Sequence, residues 1–271
     1  MRVGFIGLGS QGAPMAQRIV DADYETTLWA RRPASLEPFL DTAAKIATSP
    51  AELAQGSDLV CLCVIGDDDV RELVTGPHGV LGALEPGAII AIHSTVQPDL
   101  CRELAATAAE YGISVIDAPV SGGAPAVAEK RLLVMVGGDT DVVARCRPVF
   151  ETYADPVVHL GDVGSGQVAK ILNNLLFTAN LGVAASLFAL GEALGVASDR
   201  LTEVISGGSA NSFALTSMGG DGNLDRLATL AGSLLQKDVR LAAALAGQGD
   251  GEIEAVFQGA DAALVRMGRP R

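Results

Sequence analysis

Three clusters in this 271-residue chain hold residue types that could act together on a small molecule. The first is Gly7-Leu8-Gly9-Ser10-Gln11-Gly12, a GxGxxG pattern directly after the apolar run Val3-Gly4-Phe5-Ile6. Such a pattern between a strand and a helix is a dinucleotide fingerprint. The first glycine permits a tight turn, the second lets backbone approach a pyrophosphate, and the third lets helix and strand pack closely. The N–H groups that open the helix then face the anion. The second cluster is Asp117-Ala118-Pro119-Val120-Ser121-Gly122-Gly123. Ser121 supplies a hydroxyl, and the turn with Gly122 and Gly123 supplies backbone N–H groups that can cradle a carboxylate. Read without further context, it is equally a loop that changes direction. The third is Lys170-Ile171-Leu172-Asn173-Asn174. Lys170 and Asn174 are spaced i, i+4 and share a helix face. If partly desolvated, an amine there has a lowered pKa and serves as a general acid/base near neutrality. The competing reading is a solvated lysine, weakened by two amides that do not favour a helix interior without partners. Lys237-Asp238 is a further pair, read equally as an exposed ion pair.

The elements that must position these clusters follow from periodicity. Strand-like runs cover residues 3–6, 26–29, 59–65, 89–92, 114–117, 132–136 and 156–160, and helical stretches cover 13–20, 50–55, 68–73 and 98–111. That alternation predicts a doubly wound parallel sheet, an α/β Rossmann domain over 1–160. The character changes at Gly161-Asp162-Val163-Gly164-Ser165-Gly166. Beyond it the sequence predicts an all-α domain over 161–271, entered through a long interdomain helix. That helix runs from 167 to about 194, ~42 Å at 1.5 Å per residue, and stops before Gly195. Further helices are expected over 199–205, 224–229, 235–248 and 252–267. The long helix is apolar on several faces, which points to a homodimer or homotetramer.

The net charge is −13, which disfavours a nucleic-acid partner and requires that any anionic ligand meet placed cations. No unbroken apolar run reaches the ~20 residues of a membrane span, and the N-terminus lacks a signal-peptide pattern, so a cytoplasmic protein without membrane partners is expected. Cys61, Cys63, Cys101 and Cys146 lack metal-ligand spacing and are read as core fillers, with no metal expected. His93, at the end of a strand, is expected near the cofactor in a packing or hydrogen-bonding role. Phe213 and Met218 are read as pocket walls or core.

The chain resembles the β-hydroxyacid dehydrogenase family, which includes 3-hydroxyisobutyrate dehydrogenases and tartronate, glyoxylate and succinic semialdehyde reductases. The resemblance rests on GFIGLGSQGAPMA at the N-terminus, Ser94-Thr95, DAPVSGG at 117–123, MVGG at 135–138, GxxGxGQxxK from Gly161 to Lys170, Asn173-Asn174 and Lys237-Asp238, in the family order. It implies hydride transfer between NAD(P) and a small 3-hydroxy acid or semialdehyde, in a cleft between the two domains. It implies Lys170 as the catalytic acid/base, with Ser121, Gly122, Gly123 and Asn174 holding the substrate. Gly7, Leu8, Gly9, Ser10, Gln11, Gly12, Arg31, Arg32, Val64, Thr95 and Lys237 would serve the cofactor. Gln11 departs from the family's methionine, Glu129-Lys130-Arg131-Leu132 replaces its glycine-containing turn, and the C-terminus is shorter than in most relatives.

At the end of the second strand, where NAD-binding sheets carry a carboxylate, stand Ala30, Arg31 and Arg32. Two guanidiniums match a 2′-phosphate, which favours NADP over NAD. Two other readings remain: a non-catalytic dinucleotide sensor, and an imine reductase. Lys170 counts against the latter, because imine-reducing members generally lack it.

Overall fold

The computed structural model of the chain describes residues 1–218, 222–247 and 251–271. Contacts divide it into two compact units, Met1–Lys170 and Ile171–Arg271. The expected boundary at 160/161 precedes the long helix. The contact-based division falls inside it, because that helix's first turn is hydrogen-bonded to the sheet of the first unit.

In the first unit β1 (Val3–Ile6), β2 (Thr26–Trp29), β3 (Lys45–Ile46), β4 (Leu59–Leu62), β5 (Ile89–Ile92) and β6 (Ser114–Asp117) form one six-stranded sheet in the order β3-β2-β1-β4-β5-β6. Every pairing in it is parallel. This is the doubly wound dinucleotide-binding order, and the order reverses between β1 and β4. Successive strand residues face opposite sides. Phe5, Leu28, Cys61 and Ala91 therefore enter one core with Met15 and Ile19 of α1 (Gly12–Asp21). Ile6, Val60, Leu62, Ile90 and Ile92 enter the other. There they meet α2 (Pro50–Ala54), α3 (Asp67–Thr75) and α4 (Pro98–Ala109) through Leu53, Val70 and Leu100. Burial on both faces explains why these strands read as unbroken apolar runs.

Two expected strands lie elsewhere. β7 (Val120–Ser121), β8 (Leu132–Val136) and β9 (Ala154–His159) make a separate three-stranded sheet, with β7 antiparallel to β8 and β8 parallel to β9. The β7–β8 connection holds only α5 (Gly123–Ala128), too short for the dozen or more residues of a parallel crossover. In that connection Lys130 takes φ 54°, the left-handed conformation that glycine usually supplies. Sequence reading missed α5, β3, β7 and α6 (Thr140–Phe150). α6 carried a usable signal: Asp139 caps it, accepting from the N–H groups of Asp141 and Val142, ahead of apolar Val143, Cys146 and Phe150. Pro148 inside the helix obscured it.

In the second unit every described element is helical: the body of α7 (Ser165–Ala193), then α8 (Ser198–Gly207), α9 (Phe213–Met218), α10 (Asp225–Leu230), α11 (Gly232–Ala246) and α12 (Gly251–Arg266). The expected helix over 235–248 corresponds to α11, with Gln248 outside the described residues. α7 ends as the glycine implied. Gly195 has φ 80°, Val196 N–H donates to Gly191 C=O, and Gly195 N–H donates to Glu192 C=O, a Schellman closure. Although no unbroken apolar run is present, α7 is long and apolar enough to cross a membrane by length and composition. Ile171, Leu175, Ala179, Leu181 and Phe188 on it are buried, so we read it as the central helix of this unit's core.

Candidate active site

The glycine loop leaves β1 at the point where strand order reverses, the edge at which doubly wound sheets bind ligands. Gly7 has φ 98°, and a Cβ there would stand 2.1 Å from the Cys63 carbonyl oxygen. A Cβ on Gly12 would stand 2.0 Å from the Gly7 carbonyl oxygen. By contrast, a Cβ on exposed Gly9 would meet nothing within 4 Å. Two glycines thus serve packing, and the third leaves open space beside the loop, a cradle that fits a pyrophosphate. α1 starts with no side-chain cap, Ala13 N–H donates to the Gly9 carbonyl at 3.0 Å, and the helix N-terminus suits an anion. Leu8 is buried in the core, so only its backbone faces the loop, while Ser10 is exposed. The Gln11 amide donates to Met15 Sδ at 3.6 Å, along its own helix.

Arg31 and Arg32 follow β2 and are exposed. Arg31 pairs with Asp69 at 2.8 Å and stands 3.9 Å from Glu72, both on α3. Val64, just past β4, is half-buried, and its N–H donates to Ser94 Oγ at 2.8 Å. Half-buried Thr95 follows Ser94 at the carboxyl end of β5. Ser121 ends β7, paired opposite Leu133, and is half-buried. Gly122 (φ 128°) and Gly123 (φ 70°) turn the chain into α5. The turn needs a glycine at 122, since a Cβ there would also stand 2.6 Å from that of Ala126.

Lys170 lies in the second turn of α7 and is 9% exposed. The solvated-lysine reading therefore fails: most of its surface is removed from water. Two buried residues fix the helix start beneath it. Asp117, fully buried at the end of β6, accepts Gly164 N–H on Oδ1 at 2.6 Å and Gln167 N–H on Oδ2 at 2.7 Å. Burial raises the Asp117 pKa, and these N–H bonds oppose the rise. The Gln167 side chain donates Nε2–H to the Ser94 carbonyl at 2.8 Å and accepts Val96 N–H on Oε1 at 3.1 Å. Both residues stood inside quoted motifs, yet sequence reasoning assigned them no task. The charge or amide in an otherwise apolar context was the only signal.

Contacts therefore run from the glycine loop through Cys63 and Val64 to Ser94, then through Gln167 to the turn carrying Lys170. In the second unit Asn174, one turn further along α7, donates to Asp238 Oδ2 at 2.6 Å. Its Oδ1 accepts from Asn173 Nδ2 at 3.0 Å. Lys237 Nζ lies 3.3 Å from Asp238 Oδ1. Asp238 is buried and joins the two predicted polar residues of that unit. Phe213 is exposed against Phe177, and Met218 is core.

His93 takes the packing role. It stacks on Phe5 with an interplanar angle of 13°, and its Nδ1–H donates to the Ala118 carbonyl at 2.7 Å. Burial lowers its pKa to about 4, so the ring is neutral at pH 7. The cysteines are free thiols. Burial pushes Cys63 and Cys146 up to about 12, which leaves them inert as nucleophiles.

Comparison with known proteins agrees with this geometry. Residues 2–161 match the NAD binding domain of 6-phosphogluconate dehydrogenase. Residues 164–265 match the family described as NAD-binding of NADP-dependent 3-hydroxyisobutyrate dehydrogenase. An uncharacterised oxidoreductase of Mycobacterium tuberculosis is 37% identical over 195 residues, 72% of this chain and 66% of that protein. The match thus spans about two thirds of that relative's length. An NAD-dependent L-serine dehydrogenase of Pseudomonas aeruginosa is 34% identical over 214 residues, 79% of this chain and 72% of the relative. The structure of M. tuberculosis 3-hydroxyisobutyrate dehydrogenase with L-serine superposes with a TM-score of 0.83 at 30% identity. It covers 96% of this chain and 92% of that one.

Proposed function

The chain belongs to the β-hydroxyacid dehydrogenase family of NAD(P)-dependent oxidoreductases, and from that membership we propose that it oxidises a small 3-hydroxy carboxylic acid, or reduces the matching semialdehyde, with Lys170 as general acid/base. The observation that carries this reading is the burial of Lys170 on a helix turn tied through Gln167 to Ser94, at the same sheet edge as the glycine loop.

A nicotinamide cofactor, when bound, would supply the hydride chemistry. The chain supplies position and protons. The Ser121-Gly122-Gly123 turn holds the substrate carboxylate with its hydroxyl and N–H groups. In oxidation the neutral Lys170 amine takes the proton of the substrate hydroxyl. In reduction the Lys170 ammonium gives that proton to the developing alkoxide. Asn174 orients the hydroxyl, and its amide is itself held by Asp238. The loop over residues 7–12, with Val64 and Thr95, receives the cofactor, and Lys237 contributes a cation. Arg31 and Arg32 favour NADP over NAD, in line with the NADP-dependent family matched by the second half. The exposed Leu172, Leu176, Val183 and Leu190 on α7 support a homodimer or homotetramer.

The test is an absorbance screen of 3-hydroxyisobutyrate, L-serine, succinic semialdehyde and tartronate semialdehyde with both cofactor pairs. Lys170→Ala is expected to lower kcat by about 10²–10⁴-fold, the usual worth of a placed acid/base, with cofactor affinity nearly unchanged. Wild-type turnover in that variant refutes the assignment.

A further inference from the structure

Gln167 has more hydrogen bonds than a helix residue needs, and all of them reach distant parts of the first unit. Its backbone N–H donates to Asp117 Oδ2 at the end of β6. Its carboxamide uses both ends, donating to the Ser94 carbonyl and accepting from Val96 N–H. The two contacts straddle Thr95, so that one side chain holds the loop over residues 94–96 much as a neighbouring strand would. Ser94 in turn accepts Val64 N–H on its hydroxyl, which extends the connection to the end of β4. Gln167, Ser94, Val96 and Asp117 are all buried. Lys170 stands three residues further along the same helix, about 4.5 Å of rise and on the same side.

We propose that Gln167 is a positioning residue of the reaction: its carboxamide locks the 94–96 loop onto the start of α7 and so sets where Lys170 stands relative to Thr95 and Val64. The inference rests on the reading of Lys170 as acid/base given above. The residue type follows from the task. The site requires one donor and one acceptor at the end of a two-methylene stem, and a neutral group, because a charge facing the Ser94 carbonyl in a dry interior is costly. A leucine fills the volume but leaves the Ser94 carbonyl and Val96 N–H unpaired. An asparagine keeps both groups on a shorter stem that cannot reach both partners at once.

Gln167→Leu and Gln167→Asn test this. The readout is the single-turnover hydride-transfer rate measured by stopped flow with the substrate turned over fastest in the screen. It is divided by the number of sites that NADPH fluorescence titration counts. That normalisation removes any loss of folded protein, so a purely structural role leaves the rate per site at the wild-type value. Displacing a catalytic group by about 1 Å costs on the order of 100-fold, so the rate per site is expected to fall ten- to a hundredfold, with the cofactor KM within about threefold of wild type. If Gln167→Leu is insoluble, Gln167→Asn carries the measurement. A wild-type rate per site in the folded variants, beside an inactive Lys170→Ala, overturns the positioning role and leaves the acid/base reading standing. A fully active Lys170→Ala overturns the acid/base reading itself, whatever the Gln167 variants do.

Discussion

Residues in this chain divide by whether their partners are near in sequence or far. Gly12 answers to Gly7, five residues away, and Gly9 to open space; Gly7 closes against distant Cys63, but its place in the GxGxxG spacing was readable directly. Asp117 and Gln167 were not, because their partners lie 47 to 73 positions away. His93 shows the same limit. Its place at a strand end pointed toward the cofactor, but the ring turns into the core between Phe5 and Phe150. That burial has a consequence for pH. The folded pKa, about 4, lies below the ordinary 6.5, so the unfolded chain binds the extra proton first as pH falls. The His93 contribution is intact above pH 6.5, declines by about 1.4 kcal/mol per pH unit below it, and is gone near pH 4. Asp117, whose pKa is raised, acts with the opposite sign, gaining on protonation. Denaturant titrations at pH 7 and pH 5, followed by the single tryptophan, Trp29 of β2, are expected to show wild type losing roughly 2 kcal/mol more than His93→Phe over that interval. Equal losses in the two proteins dismiss the linkage.

Elements were legible in proportion to their length and to the sharpness of their ends. The sheet strands alternate between two cores, and their apolar runs marked them within a few residues. α7 announced itself through length, the absence of proline and Gly195. Short elements escaped: β3 and β7 have two residues each, and α9 has six, too few for a period to repeat. Helix contacts were also hidden. Gly182 of α7 sits where a Cβ would stand 1.9 Å from the Gly259 carbonyl oxygen of α12. Backbone meets backbone there, and no rotamer change relieves an added methyl. Gly182→Ala gains helix propensity of about 1 kcal/mol but overpacks the contact by about 1–3 kcal/mol or more, so net destabilisation of the second unit is expected. A lower melting temperature by circular dichroism checks it. An unchanged or higher one shows that α7 and α12 can part without loss.

At the scale of the whole molecule the net charge of −13 is the governing field. In the function proposed above, a dinucleotide phosphate would approach a surface of its own sign and would be held by local groups: the first N–H groups of α1 and, at the end of β2, Arg31 and Arg32. Arg31 already pairs with Asp69, so a 2′-phosphate competes with that carboxylate for the same guanidinium. In the Arg31→Ala/Arg32→Ala variant the thermal stabilisation by NADPH is expected to fall by more than tenfold in apparent affinity, while that by NADH changes little. Equal losses reject the NADP preference. The two-part architecture and the dinucleotide edge were readable from residue order, because strand alternation, turn glycines and helix length act over short stretches of chain. The separate β7-β8-β9 sheet, the burial of Lys170 and the Asp117–Gln167 seat beneath it were not. Their free energy comes from desolvation and hydrogen bonding between segments that meet only after the chain has folded, and no local pattern records which distant carbonyl a buried amide will find.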